Sequence, residues 1–264
     1  MNADQNSTAE SHPPAEEISR YTPAPDLLRE RIILVTGASD GIGRAVARAY
    51  AAHGATVVLL SRNIKGLEQV YDEIEAAGHP QPALYPMNLE GAAPHDYDDL
   101  AARLQTEFGS LDGLLNNAGW VSGLTPLRQY DIERWIQVMT VNLHAPFLLS
   151  QACLPLLDCA PDPSIVFSTH RCVKAYWGAY GVAKAGLEGL MKILASECSG
   201  DRPVRVNGVD SGPVRTKLRR QNYPGEDPYT LPAPEDVTAP YLYFMGPDSR
   251  GVTGQNFIVT SAKK

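Results

Sequence analysis

The chain has 264 residues, 44% of them hydrophobic and 20% charged, which is enough apolar mass for one large domain or two small ones. Its 23 Lys and Arg against 30 Asp and Glu leave a formal net charge of −7, which argues against a non-specific nucleic-acid binder, whose surface carries a basic excess. No apolar run approaches the ~18 residues of a membrane-spanning helix, and the polar, acidic start is unlike a secretory leader, so a cytoplasmic protein with no membrane partner is expected.

Residues 1–25 are rich in Ser, Pro, Ala, Glu and Asn, lack apolar periodicity, and read as a disordered tail ahead of one folded domain at 26–264. The continuous apolar run 32–35 suits a strand buried on both faces. A glycine-rich turn at 36–43 and a helix over 42–53, stopped at Gly54, follow it. A second strand is expected at 56–60 and a helix through Leu67, Val70, Tyr71 and Ile74, stopped at Gly78. The run 83–87 is a strand weakened by Pro86; Leu100, Leu104 and Phe108 mark a helix ended by Gly109; 111–115 is a strand. Asp131 can cap a helix carrying Trp135, Val138 and Met139. Further strands at 165–167, 204–207 and 257–259 alternate with helices at 180–198 and 234–245. Such alternation defines an α/β fold: a single-domain, Rossmann-like, doubly wound parallel sheet of about seven strands, whose ligands bind at the carboxyl ends of the strands.

The motifs fall at those ends. Gly37, Gly41 and Gly43 remove Cβ atoms from a strand-to-helix turn that also holds Ser39, Asp40 and Ile42, and the helix start offers free N–H groups to a pyrophosphate. An acidic residue at the end of the second strand would accept from the ribose of NAD; here Arg62 stands there and suits the 2′-phosphate of NADP, and Arg44, just after the turn, can also approach that phosphate. NADP(H) is therefore expected over NAD(H). Tyr180 and Lys184 share one helix face, and a cation beside a phenol favours its ionised form. The four cysteines, at 153, 159, 172 and 198, have no metal-ligand spacing; buried or half-buried thiols and no metal site are expected.

Taken in order, residues 36–43, Asn116-Asn117-Ala118-Gly119, Asn142, Tyr180-x-x-x-Lys184, Val206-Asn207 and Thr253-Gly254-Gln255 resemble the short-chain dehydrogenase/reductase family over about residues 29–260. Asp26-Leu27-Leu28, Trp177-Gly178-Ala179-Tyr180, Glu226-Asp227-Pro228 and the run from Met245 to Arg250 look most like its YciK-type bacterial branch. The resemblance implies an NADP-dependent oxidoreductase acting on a small ketone or secondary alcohol. Tyr180 would be the general acid/base, Lys184 would lower its pKa and hold the nicotinamide ribose, and Asn142 would keep a water in a proton relay. Asn116, Ala118 and Gly119 would line the cofactor, Asn88 with Leu89 would face adenine, and Val214 and Thr216 would meet the nicotinamide end. Helices carrying Leu148, Leu149, Leu154, Leu187, Leu190 and Leu194 correspond to those that pair protomers in the family, implying a homodimer or homotetramer.

The chain departs from the family at one catalytic position. Counting about thirteen residues back from Tyr180 to the usual serine lands on Phe167, and counting from the strand lands on His170. Thr169 is the expected replacement donor, with Ser168 or His170 as alternatives, since strand alternation sends neighbours to opposite faces. That gap motivates a second reading, a catalytically weak or inactive NADP-binding regulatory protein. Asp210 near an anionic cofactor departs from expectation unless it faces away, and residues 259–264 lack the family's usual glycine pair. The lid region 218–232 brings Arg219, Arg220, Tyr223 and Tyr229, and Trp120, Tyr176 and Trp177 are expected around the pocket mouth.

Overall fold

The computed structural model describes residues 13–201 and 203–259. The short apolar runs form seven parallel strands: β1 (Ile32–Thr36), β2 (Thr56–Ser61), β3 (Ala83–Pro86), β4 (Gly113–Asn116), β5 (Ser164–Thr169), β6 (Arg205–Asp210) and β7 (Asn256–Ile258). They lie in one sheet in the order β3-β2-β1-β4-β5-β6-β7. Val35 pairs with Leu59 on one side and Leu115 on the other, so the chain reverses its winding between β1 and β4. A crevice opens at the carboxyl ends of strands wherever successive connections leave in opposite directions.

Side-chain alternation assigns each strand residue to one of two helical layers. Ile33, Val35, Val57, Leu59, Leu115 and Val209 pack beneath helices α2 (Gly41–Ala52) and α3 (Ile64–Ala76), and beneath the late helix over Ala239–Met245. Leu34, Val58, Leu60, Leu114, Ile165 and Phe167 pack on the opposite layer, built by α4 (Pro94–Phe108), α6 (Ala145–Leu157) and α7 (Gly178–Glu197). Pro86 is tolerated because β3 is an edge strand, where a missing N–H leaves no ladder bond broken inside the sheet. Between α5 (Ile132–Met139) and α6 the helix continues through one wide turn, Thr140–His144, which has buried Asn142 at its centre.

Four regions differ from the sequence expectation. Residues 13–25 are structured: α1 (Ala15–Ser19) buries Ile18, and the Tyr21 hydroxyl donates to the Asp248 carboxylate at 2.6 Å while its ring meets Tyr243 edge-on at 5.3 Å. Two apolar anchors in a polar stretch are too few to show a period but enough to pin a short segment. Residues 1–12, the first half of the expected tail, and 260–264, at the chain end without a glycine pair, lie outside the described residues. The expected helix 234–245 is a tight turn, Pro234–Val237, and then α9 (Ala239–Met245), because Pro240 starts a new helix and cannot continue an old one. The lid region contains a short α8 (Lys217–Asn222), whose basic sequence carries no apolar stripe. Cys159 is exposed, whereas Cys153 and Cys172 are buried.

Leu149, Leu187 and Leu194 are buried, and Leu148, Leu154 and Leu190 pack against the core. The apolar side chains left in solvent on α5, α6 and α7 are Ile132, Ile136, Phe147, Val182 and Ile193. No helix among the described residues is long and apolar enough to cross a membrane.

Candidate active site

A cleft of about 510 Å³ runs across the carboxyl ends of the strands. Its floor begins at the turn after β1. Gly37 has φ +67°, and a Cβ there would sit 3.0 Å from the Ala118 Cα; a Cβ on Gly43 would lie 2.3 Å from the Gly37 carbonyl oxygen. Only glycine closes a turn this tightly while leaving the start of α2 open. The turn is tied to its neighbours: Ala38 N–H donates to Leu60 O at 3.2 Å, the Ser39 and Ser61 hydroxyls lie 2.8 Å apart, and Asp40 caps α2 by accepting from Gly41 N at 2.7 Å. Thr36 joins β1 to β4, donating to Leu115 O at 3.1 Å and accepting from the backbone N–H groups of Asn117 and Ala118, each at 2.9 Å. This open cradle at a helix start fits a pyrophosphate.

Gly37, Ser39, Asp40, Gly41 and Ile42 line the cleft, followed by Arg62, Asn88 and Leu89 at the ends of β2 and β3. The Arg62 guanidinium donates to the Glu90 carboxylate at 3.2 Å, and Glu90 lines the same wall. Nothing in the sequence singled Glu90 out, since it is 28 residues from its partner. Arg44 does not line the cleft; it pairs with Glu73 on α3.

Ala118 and Gly119 line the cleft after β4, but Asn116 does not. It shares the face of Leu114, and its amide donates to the Ser150 hydroxyl of α6 at 3.1 Å. Asn117 takes the place expected of it, lining the cleft and donating to Thr36 O at 3.0 Å. Asn142 also lies outside the lining. Its amide donates to Val138 O and Trp120 O, each at 2.8 Å, and accepts from Trp120 N at 3.2 Å. That use ties the wide turn back to α5 and fixes the loop behind the cleft.

Tyr180 and Lys184, on the first turns of α7, both line the cleft and are almost fully buried. Lys184 Nζ donates to Ser168 O at 2.7 Å and lies 5.7 Å from the centre of the Tyr180 ring. Burial lowers the lysine pKa to about 8. Burial also pushes the Tyr180 phenol well above its ordinary range, with Cys172 and Asp210 adding to the rise. The expected lowering by Lys184 is not found: burial and the neighbouring Cys172 and Asp210 all disfavour the phenolate.

At the end of β5, Ser168 donates to Asn117 Oδ1 at 3.1 Å and lies 3.2 Å from the Tyr241 hydroxyl, whereas Thr169 donates to Asn256 Oδ1 at 2.7 Å. His170 places its ring edge-on to Trp177 at 5.0 Å and to Tyr180 at 5.9 Å. Asp210 stays out of the cleft lining, accepting from Arg171 N at 2.8 Å and Gly212 N at 2.9 Å. Val214 and Thr216 line the opposite wall, and Thr216 caps α8 by accepting from Arg219 N at 3.1 Å. Trp120, Trp177 and Tyr223 make the outer end aromatic, while Tyr176 points away into solvent. Arg219 is held by both Glu226 oxygens at 2.7 and 2.8 Å and lies 3.6 Å over the Tyr223 ring.

The family model for short chain dehydrogenases matches residues 31–227. The chain therefore belongs to the short chain dehydrogenase family, and is an oxidoreductase of that family, whose members bind a nicotinamide cofactor and act on small molecules. It is 42% identical over 247 residues, 92% of this chain and 97% of the relative, to the protein of Escherichia coli K12 called uncharacterized oxidoreductase YciK. A short chain dehydrogenase structure from Pseudomonas syringae is 51% identical, with a TM-score of 0.89, covering 91% of this chain and 98% of that one. An Escherichia coli CFT073 structure complexed with NADPH is 43% identical, with a TM-score of 0.87, covering 90% of this chain and all of its own.

Proposed function

We propose that the protein is an NADP(H)-dependent oxidoreductase that interconverts a small ketone and its secondary alcohol. One observation carries the reading: the glycine turn, Arg62 and the Tyr180–Lys184 pair all line a single continuous cleft. Bound NADPH supplies the hydride. The turn over 37–42 and the start of α2 hold the pyrophosphate, Arg62 holds the 2′-phosphate, and Asn88 with Leu89 borders adenine. Ala118, Gly119, Val214 and Thr216 frame the nicotinamide end. Tyr180 gives its phenolic proton to the substrate oxygen; burial holds the phenol protonated until that transfer. Lys184, anchored on Ser168 O, holds the nicotinamide ribose and supplies a cation beside the phenol as charge shifts. Asn142 acts one layer back, by fixing the Trp120 loop.

The relative bound to NADPH supports the cofactor choice. No observation favours the alternative of an inactive regulatory protein. The exposed Ile136, Phe147, Val182 and Ile193 on α5, α6 and α7 support a homo-oligomer that buries them, and a cytoplasmic location is proposed alongside it. Titration with NADPH and NADH, followed by the fluorescence of Trp120 and Trp177, tests the cofactor assignment. Tighter NADPH binding is expected; equal or tighter NADH binding contradicts it.

A further inference from the structure

The end of β5 delivers three polar side chains to the neighbourhood of Tyr180, and their hydrogen bonds separate them. Ser168 points to the α9 layer, where Asn117 and Tyr241 engage its hydroxyl. Thr169 points to the other layer and gives its only hydroxyl proton to Asn256; both residues line the cleft, but with their hydroxyls already engaged. His170, the first residue beyond the strand, lines the cleft with its ring against both Trp177 and Tyr180. Its backbone is held on either side: Lys184 Nζ donates to Ser168 O at 2.7 Å, and Arg171 N donates to the buried Asp210 carboxylate at 2.8 Å. The end of β5 thus presents a packed, positioned imidazole to the cleft beside Tyr180.

We infer that His170 is a catalytic residue that donates an N–H hydrogen bond to the substrate oxygen, in the place the family pattern gives to a serine. The inference rests on the oxidoreductase reading above. An imidazole keeps at least one N–H donor in either protonation state, so it can serve as this donor across the pH range. During reduction the carbonyl carbon gains the hydride, the C=O π pair moves to oxygen, and Tyr180 supplies the proton that completes the alcohol. His170 keeps its proton and stabilises the charge on oxygen while it exists. Burial favours the neutral ring, as do the cations Lys184 on α7, Arg219 on α8 and Lys174 in the loop between β5 and α7; Asp210 on β6 opposes them. His170 therefore titrates below its ordinary 6.5.

The test uses the full-length protein with NADPH and the ketone it reduces fastest among cyclohexanone, acetophenone and ethyl acetoacetate. His170→Leu is expected to lower kcat by roughly 10²–10³ with an unchanged NADPH dissociation constant. His170→Gln keeps an N–H donor that does not titrate. It is expected to retain kcat within about tenfold and to lack the rise in kcat expected of the wild type as acidification makes the ring a cationic, stronger donor. A His170→Leu variant within about threefold of wild type overturns the inference, as does a His170→Gln variant whose acidic rise persists; the second result decides even where His170→Leu impairs folding. Loss of turnover in Tyr180→Phe alongside a normal His170→Leu rejects only the role of His170. A wild type that reduces none of the three ketones rejects the proposed ketone reduction, and this inference with it.

Discussion

Removing the Arg62 guanidinium should separate the two nicotinamide cofactors. A hydrogen bond to a charged group contributes about 1.5–3 kcal/mol, and the lower end applies here because the Arg62 side chain is 59% exposed. About 1.5 kcal/mol corresponds to a roughly tenfold weaker NADPH dissociation constant in Arg62→Ala, with NADH changed by less than about twofold. Glu90 acts in the opposite sense, because its carboxylate holds Arg62 at 3.2 Å on the same wall of the cleft and repels a 2′-phosphate. A half-exposed pair of this kind is worth about 0.2–1 kcal/mol, so Glu90→Gln should tighten NADPH about 1.5- to 5-fold and leave NADH alone. Both variants can be titrated by tryptophan fluorescence at fixed ionic strength, with 2′-AMP as a competitor that reads the phosphate subsite alone. If Arg62→Ala weakens NADH as much as NADPH, or weakens neither, the placement of the 2′-phosphate on Arg62 is wrong.

Gly43→Ala should abolish NADPH binding, because its Cβ would sit 2.3 Å from the Gly37 carbonyl oxygen and force the cradle open; calorimetric titration of the purified variant reads this directly. Lys184→Met should change how stability depends on pH. Burial lowers the lysine from 10.5 to about 8, so between those values the unfolded chain binds more protons and the wild type gains stability as pH rises. The gain relative to the variant is at most about 3 kcal/mol, and urea melts at pH 8 and pH 10 should show wild type gaining on Lys184→Met. Asn142→Ala removes three hydrogen bonds from a buried site and should cost about 1–3 kcal/mol in the same assay, with kcat falling more than NADPH affinity as the Trp120 loop loosens.

The sheet was legible because buried parallel strands are short continuous apolar runs and glycines punctuate the helices between them. Local pattern failed where a partner far along the chain decides the outcome. Ile18 and Tyr21 order residues 13–25 only because α9 and Asp248 lie beside them. Arg62 was legible as a strand-end arginine, but its carboxylate partner emerges only when the ends of β2 and β3 are brought together. At Asn116 the strand continues one residue further than its apolar run suggests, which turns that amide toward Ser150 and leaves the cleft to Asn117. The end of β5 shows the same limit: sequence placed Ser168, Thr169 and His170 together, and their partners on α9, β7 and α7 sort them.

The most direct test of the account is the rate of NADPH-dependent ketone reduction by wild type and Tyr180→Phe, with the NADPH dissociation constant measured on both. The account predicts turnover by the wild type, a loss of roughly 10²–10⁴ in the variant, and cofactor affinity unchanged within about twofold. Turnover by Tyr180→Phe at the wild-type rate would contradict it.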